Sequence, residues 1–450
     1  MSLAILSTRT AGPLLAEPVA LLRLAIPLVL IALVNMGMSL TDTLMVSASF
    51  GAEALAAVAV ASDFQSILFY FGAGTISGIA PLYAAAAGRL DYQGRARLER
   101  AGQAVVLLLA LVLVPALWTA PDWLSFLGLD RGLLEAGQGY ARAMALTLVP
   151  LLGVTLYRTI LTAAQRPRVF LAVTAAMLPL NALGNHILMH GFGPIPAFGP
   201  TGAGLSSLIV ATATLLVLVL IARRTMHPAG RPGVGWIDIW PLLRIGLPIG
   251  VATVAELGIF LGATLYAATL GPAEVAAHTV ALRVAGVAYA VPAALLQAAT
   301  VRMALAVAAR DSARCKQVVT SALGLGVLAG TCLLGALIVA ADPITRSILD
   351  PSATGVAAAG TAAGLLLILG LMEFFANLGS AASGLLRGRK DTRVPMMVTL
   401  IGYWVVAAPL GLWLSEVAEA GITGFWLGLL AGTLVTSALL LIRALRQRGG

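Results

Sequence analysis

Apolar residues in this chain of 450 run in long blocks separated by short stretches rich in Gly, Pro and Arg. A helix needs about 20 apolar residues to cross a hydrocarbon core of about 30 Å. On that measure the blocks predict twelve helices, at roughly 19–48, 54–87, 98–120, 132–165, 168–190, 201–224, 240–270, 273–310, 314–341, 354–388, 392–414 and 420–445. Several are long enough to tilt or to project beyond the bilayer. Pro27, Pro81, Pro115, Pro150, Pro179, Pro248, Pro292 and Pro409 fall inside them and mark kinks. Between the third and fourth helices, Trp123, Leu124, Phe126 and Leu127 follow Pro121-Asp122, as in a turn lying along the membrane surface.

Composition agrees. Hydrophobic residues make up 60% and charged residues 10%, against about 45–50% and 25% in soluble domains. Too few polar groups exist to coat a soluble globule, and disorder requires the opposite balance. The 48 glycines follow no triplet period, and the 2 cysteines exclude a disulfide scaffold. Cys315 and Cys332 lie about 25 Å apart on one predicted helix and cannot bridge. No zinc or redox spacing occurs.

The net charge of +9 could suggest nucleic acid, but its distribution excludes that partner. Of 28 Lys and Arg, 24 fall on the N-terminal tail, the even-numbered loops, the C-terminus and the adjoining helix ends. That asymmetry predicts cytoplasmic termini. Arg131 and Arg346 fall on the opposite loops, and Arg142 and Arg283 within helices. The segment before Glu17 reads as a short cytoplasmic tail, lacking the pattern of a signal peptide.

The chain also repeats itself at an offset of 221 residues. Arg23-Leu24-Ala25-Ile26-Pro27 matches Arg244-Ile245-Gly246-Leu247-Pro248, Glu53 meets Glu274, and Arg89 meets Arg310. The repeat predicts an N-lobe at 1–224, a cytoplasmic linker at 225–239 and a C-lobe at 240–450. Parallel repeats of this kind let two bundles rock about a central cavity.

These residues resemble the MATE family, multidrug and toxic compound extrusion, in its NorM-like branch. The resemblance covers about residues 20–445. It rests on Pro27 with Thr41-Asp42-Thr43-Leu44-Met45-Val46, on Gly246-Leu247-Pro248 with Glu256, on Ala276-Ala277-His278-Thr279-Val280-Ala281-Leu282, and on Leu386-Arg387-Gly388-Arg389-Lys390-Asp391-Thr392. It implies an all-α polytopic membrane protein of twelve transmembrane helices. Two pseudo-symmetric six-helix lobes would form the V of the MATE/MOP-type fold. It also implies export of lipophilic, mostly cationic compounds against inward H⁺ or Na⁺ flow.

Ionisable groups inside a bilayer are costly and therefore functional candidates. Asp42 sits at the aspartate of the family's Asp-Thr-x-Met pattern. Protonation would switch it between a cation ligand and a neutral group. Asn181 and Asn185, spaced i and i+4, share one helix face and match the family's paired polar positions there. Ser207 matches a position where relatives often carry Thr. Asp42, Asn181, Asn185 and Ser207 would form an all-oxygen nest, suited to Na⁺ or to a proton-dependent network. Glu256 matches the membrane glutamate of the NorM-like branch, and its repeat partner is Asn35. Where NorM-type relatives often carry an aspartate, this chain has Ala376, with Glu373 one turn earlier. That departure leans the reading toward H⁺.

Asp63 and Arg283 fall at nearly equal depth in the two repeats; either they pair across the cleft in one transport state, or each pairs within its own lobe or meets cavity water. A double charge swap that failed to rescue the single mutants would sink the pairing across the cleft. His278 is expected to be an interfacial hydrogen-bonding group. His186 and His190 have metal-like spacing, but no third ligand completes a site. Gly324-x-Gly326-x-x-x-Gly330 reads as close helix packing.

The reading is a secondary active exporter, with Asp42, Asn181, Asn185, Ser207 and Glu256 for ion coupling and Asp63, Arg283, Glu373, Asn35 and His278 for the substrate cavity or gating. It predicts no cofactor besides H⁺ or Na⁺, a small cationic or lipophilic substrate, a monomer in the lipid bilayer, and the bacterial inner membrane. A lipid-linked saccharide flippase of the same superfamily is the alternative within transport, although a strongly basic cavity is missing. A membrane-embedded enzyme is the alternative outside it, although no Gly-x-Ser-Gly, His-Glu-x-x-His or nucleotide loop occurs.

Overall fold

The computed structural model describes residues 16–126, 128, 130–226, 233–349 and 352–447. Residues 227–232 of the linker lie outside it, as do Leu127 and the basic residues Arg9, Arg231 and Arg448. The described chain is helical, and its one extended pairing is an isolated bridge between Phe192 and Ile195. The elements are α1 (Ala16–Ser77), α2 (Ile79–Gly88), α3 (Tyr92–Trp118), α4 (Ala120–Phe126), α5 (Arg131–Ala163), α6 (Pro167–His190) and α7 (Thr201–Met226). They continue with α8 (Trp236–Leu270), α9 (Pro272–Ala288), α10 (Ala290–Ala308), α11 (Ser312–Ile348), α12 (Ala353–Gly388), α13 (Arg393–Leu400), α14 (Ala408–Glu416) and α15 (Gly421–Arg446). Between α13 and α14 the helix takes a π-helical form over Ile401–Ala407.

Eleven continuous helical stretches among the described residues are long and apolar enough to cross a membrane. The first, Ala16–Gly88, is 73 residues long. At 1.5 Å per residue it exceeds twice the hydrocarbon thickness. It breaks at Gly51, whose φ of 79° is a left-handed value that a residue with Cβ rarely adopts. Two crossings on either side of that break complete the expected twelve. The surface turn after Pro121 is the short helix α4, and Trp123 Nε1 donates to Ala116 O.

The repeat is written into the backbone as well as the sequence. Leu90 and Arg310 both take positive φ, and each is followed by an aspartate, Asp91 or Asp311, that caps the next helix. Gln165 and Lys390 are a second pair of positive-φ residues, Gly51 and Gly271 a third. In the first two pairs the residue and its successor return bonds to the end of the preceding helix, as Leu90 N to Ala87 O and Asp91 N to Ala86 O do, while Gly51 and Gly271, with ψ of −173° and 171°, make extended links.

By packing, the chain divides into Leu30–Val251 and a second unit that joins the segment ending at Val29 to Ala252–Gly450. The halves expected from the repeat therefore differ from the packing units at two places, the first segments of α1 and of α8. Pro27 and Pro248 precede the two crossover points. In the first unit α5 packs against α2, α3, α6 and α7. There Gly246 lets α8 approach the backbone of Thr75 and Gly78, where a Cβ would collide with the Thr75 carbonyl. In the second unit α12 packs against α9, α10, α11 and α15. Gly326 and Gly330 of α11 face the backbone of Asn377 and Phe374, as expected, whereas Gly324 has nothing within 4 Å and takes no part in that packing.

Candidate ion-coupling sites

In the unit Leu30–Val251, α1 and α6 bring together the polar groups that the sequence singled out. Asn185 Nδ2 donates to Asp42 Oδ1 at 2.5 Å, and Asn181 also hydrogen-bonds the Asp42 side chain. The i, i+4 spacing places both amides on one face, and Asn181 and Asn185 are 1% and 0% exposed. Their Oδ1 atoms are buried without a hydrogen-bond partner. Buried polar atoms are rarely left so, since each costs about 1–3 kcal/mol. A carboxylate beside two free amide oxygens is a set of hard donors that suits Na⁺. It equally suits a proton shared through hydrogen bonds. The Met45 sulfur lies 3.9 Å from Asn185 Nδ2.

On α7 it is Ser206 whose hydroxyl meets the main chain of Asn181. It is 1% exposed, and its Oγ donates to Asn181 O at 3.2 Å. Ser207, the next residue, is half-buried and makes none of the cluster's hydrogen bonds. One residue on a helix is a turn of about 100°, so only one of the two can face Asn181. Tyr140 of α5 is buried, shares a hydrogen bond of 3.0 Å with Ser62 and feels the charge of Asp42. The sequence reading passed over Tyr140. A buried tyrosine in a span needs a partner for its hydroxyl, which is the signal that could have raised it. Asn35 and Asp63 are exposed and stand outside these hydrogen bonds.

The other unit holds a second carboxyl cluster. Glu256 of α8 accepts from Tyr403 Oη in a long contact of 3.4 Å. Glu373 of α12 is near enough for its charge and that of Glu256 to interact. Glu373 is 5% exposed and Asn377 0%. Asn377 Nδ2 donates to Glu373 O at 2.8 Å, one turn back. Glu373 Oε2, Asn377 Oδ1, Thr433 Oγ1 and Thr436 Oγ1 are buried without a partner. The sequence pointed to Glu256 and Glu373 but not to Asn377, although i, i+4 spacing from Glu373 was there to read.

Tyr403 and Trp404 were hidden for a different reason. The π-helical stretch turns both toward α8, and Trp404 Nε1 donates to Ala255 O at 3.0 Å. Single-turn π features inside α-helices are frequent at functional sites. Arg387, at the end of α12, is half-buried with its Nε unpartnered, and its charge acts on Glu256.

His278 sits apart from the carboxyl cluster, fully buried. Trp426 Nε1 donates to its Nδ1 at 3.1 Å, and its Nε2 meets Thr264 Oγ1 at 3.0 Å. Indole is only a donor, so Nδ1 accepts and the ring is neutral with its proton on Nε2. Arg283 is exposed. His186 and His190 stand with ring centroids 5.0 Å apart at the end of α6, where His190 Nε2 meets Ser49 Oγ at 3.2 Å. Among the described residues no group of three or more His, Cys, Asp or Glu could hold a metal ion.

A sequence profile of the MatE family matches residues 27–187 and 248–413. The chain belongs to the MATE family. It is 34% identical over 448 residues to a probable multidrug resistance protein NorM of Deinococcus radiodurans, covering 97% of each chain. It is 33% identical over 434 residues to a probable NorM of Bradyrhizobium diazoefficiens, covering 95% of this chain and 93% of that one. In fold, this MATE chain matches a MOP superfamily transporter of Pyrococcus furiosus with a TM-score of 0.87, at 18% identity and 96% coverage of both chains. An outward-facing multidrug resistance MATE family transporter of the MOP superfamily matches with a TM-score of 0.86, at 19% identity and 97% coverage of both. Family and relatives are transporters, and this MATE protein is an integral membrane protein.

Proposed function

We propose that this protein is a multidrug exporter driven by inward flow of H⁺ or Na⁺, working by alternating access on lipophilic, mostly cationic small molecules. The observation that carries this reading is the Asp42 cluster. There a carboxylate, bonded by Asn185 at 2.5 Å, stands beside two buried amide oxygens that have no partner. Such a site binds a proton or a small cation and has little other use in a membrane span. Glu256 and Glu373 supply a second carboxyl pair. Binding of the coupling ion shifts the equilibrium between conformations only by its differential affinity for them. A carboxyl that loses its charge on protonation, or gains a counter-ion, supplies that difference. The NorM names of the relatives point to drugs as cargo, and the scarcity of basic residues in the spans suits cationic cargo better than an anionic lipid-linked saccharide.

The protein is read as a monomer in the bacterial inner membrane with both termini cytoplasmic. The experiment is dye efflux from proteoliposomes under an imposed pH gradient or an imposed Na⁺ gradient. Efflux with one gradient and not the other identifies the ion. Efflux with neither refutes ion coupling.

A further inference from the structure

The first turn of α1 carries a densely bonded charge that is not at either carboxyl cluster. Glu17 is 7% exposed, as is Arg302 of α10. Arg302 Nε donates to Glu17 Oε2 at 2.9 Å, and its Nη2 donates to Oε1 at 2.5 Å and to Oε2 at 2.7 Å. Arg314 of α11, two-thirds covered, adds a bond from Nε to Oε1 at 2.9 Å. A planar guanidinium forked on a carboxylate is specific in geometry, and a second Arg leaves the carboxylate fully used. These three residues lie 285 and 297 positions apart in sequence.

The place of this cluster gives it meaning. α1 is unbroken between Val29 and Leu30, yet its segment up to Val29 packs with Ala252–Gly450 while the rest packs in the other unit. Glu17 ties down the outlying segment, and Leu21, one turn further along α1, is 0% exposed. The equivalent helix of the second repeat crosses over in the same way, and among the described residues no ion pair is seen on its first segment. Asp238, which stands 221 residues after Glu17, is half-buried and accepts from Gly235 N as a local cap. The α8 crossing rests on glycine contacts instead. Among the described residues, one crossover is thus fastened by a buried ion pair and its twin by close backbone packing.

We propose that Glu17, Arg302 and Arg314 form an ionic latch on the first segment of α1, at the end of the molecule that carries the termini, and that the latch opens and closes in each transport cycle. The proposal rests on the exporter reading for its purpose but not for its existence. A buried bidentate ion pair is either made or broken, because its geometry is specific. That makes the first segment of α1 the two-state element of the pair.

The test uses the full chain with Cys315→Ser and Cys332→Ser, and with Leu21→Cys as a reporter that the closed latch covers. Labelling by a membrane-impermeant maleimide is measured in vesicles with the termini facing out. Glu17→Gln and Arg302→Gln should each raise the labelling rate at least fivefold. Arg314→Gln, which removes the more exposed arm, should raise it by less. Arg443→Gln, which removes an ion pair with Asp391 elsewhere in the same unit, should leave it unchanged. If Glu17→Gln fails to fold, Arg314→Gln carries the test. Parent labelling rates in the folded latch variants would overturn the latch. Faster labelling in a protein that shows no ion-driven efflux would keep the latch and refute the exporter reading.

Discussion

Asp42→Asn isolates ionisation from shape. An asparagine fits the same volume, and its Oδ1 can still accept from Asn185 Nδ2 across the 2.5 Å contact. The bond changes from charge-assisted to neutral, a loss of about 1 kcal/mol given the usual ranges of about 1.5–3 and 0.5–1.5 kcal/mol. The amide is also cheaper to bury than a carboxylate, which offsets part of that loss. Folding should therefore hold, with a melting shift of only a few degrees. Ion binding should not hold. A cation about 2.5 Å from a carboxylate gains on the order of 6 kcal/mol at an effective dielectric constant of 20. If only about a third of this survives the cost of dehydrating the ion, affinity falls by more than tenfold. Gradient-driven dye efflux from proteoliposomes should drop at least tenfold under whichever gradient drives the parent protein. A well-folded Asp42→Asn protein with efflux within twofold of the parent would refute the assignment of coupling to Asp42.

Three further outcomes follow from the same geometry. Ser206→Ala should lower efflux severalfold while Ser207→Ala leaves it near the parent rate, since only Ser206 bonds Asn181; a reversed order in paired transport assays would move the hydroxyl to Ser207. Glu256→Gln should impair efflux strongly and Tyr403→Phe only mildly, because the 3.4 Å bond is long; equal losses in the same assay would make Tyr403 a principal ligand. Trp426→Phe leaves His278 Nδ1 buried without its donor, which costs about 1–3 kcal/mol of stability. Thermal unfolding in detergent should come earlier, with the pH profile of efflux unmoved. A displaced profile would make His278 a proton carrier.

Much of this architecture could be read from the chain because lipid restricts the choices. A spanning backbone must bond within itself, so long apolar blocks translate directly into helices. Joints at Leu90 and Arg310 fall within one residue of where the 221 offset places them. Asp42, Asn181 and Asn185 could be found because polar residues among apolar ones stand out, and helical spacing showed that the amides share a face. Ser206 could not be separated from Ser207 without the rotation of α7 about its axis, which packing decides. Tyr403 and Trp404 depended on a departure from α-helical bonding that no residue type announces. The latch depended on two contacts between distant parts of the sequence. Glu17, Arg302 and Arg314 each look like ordinary residues at the end of a helix.

The π-helical stretch at Ile401–Ala407 also changes how the chain length of that span should be counted. Bonding from i to i+5 accommodates an extra residue in a helix without a loop. The span Arg393–Glu416 therefore holds its residues in a shorter rise than a plain α-helix would. Gly402 accepts this because a Cβ there would run into Thr436 Oγ1. A drift of the stretch toward α-helical bonding would lengthen the span and rotate its far end. In that sense Tyr403 and Trp404 are held in place by a surplus residue, and the span carries slack that a straight helix would lack.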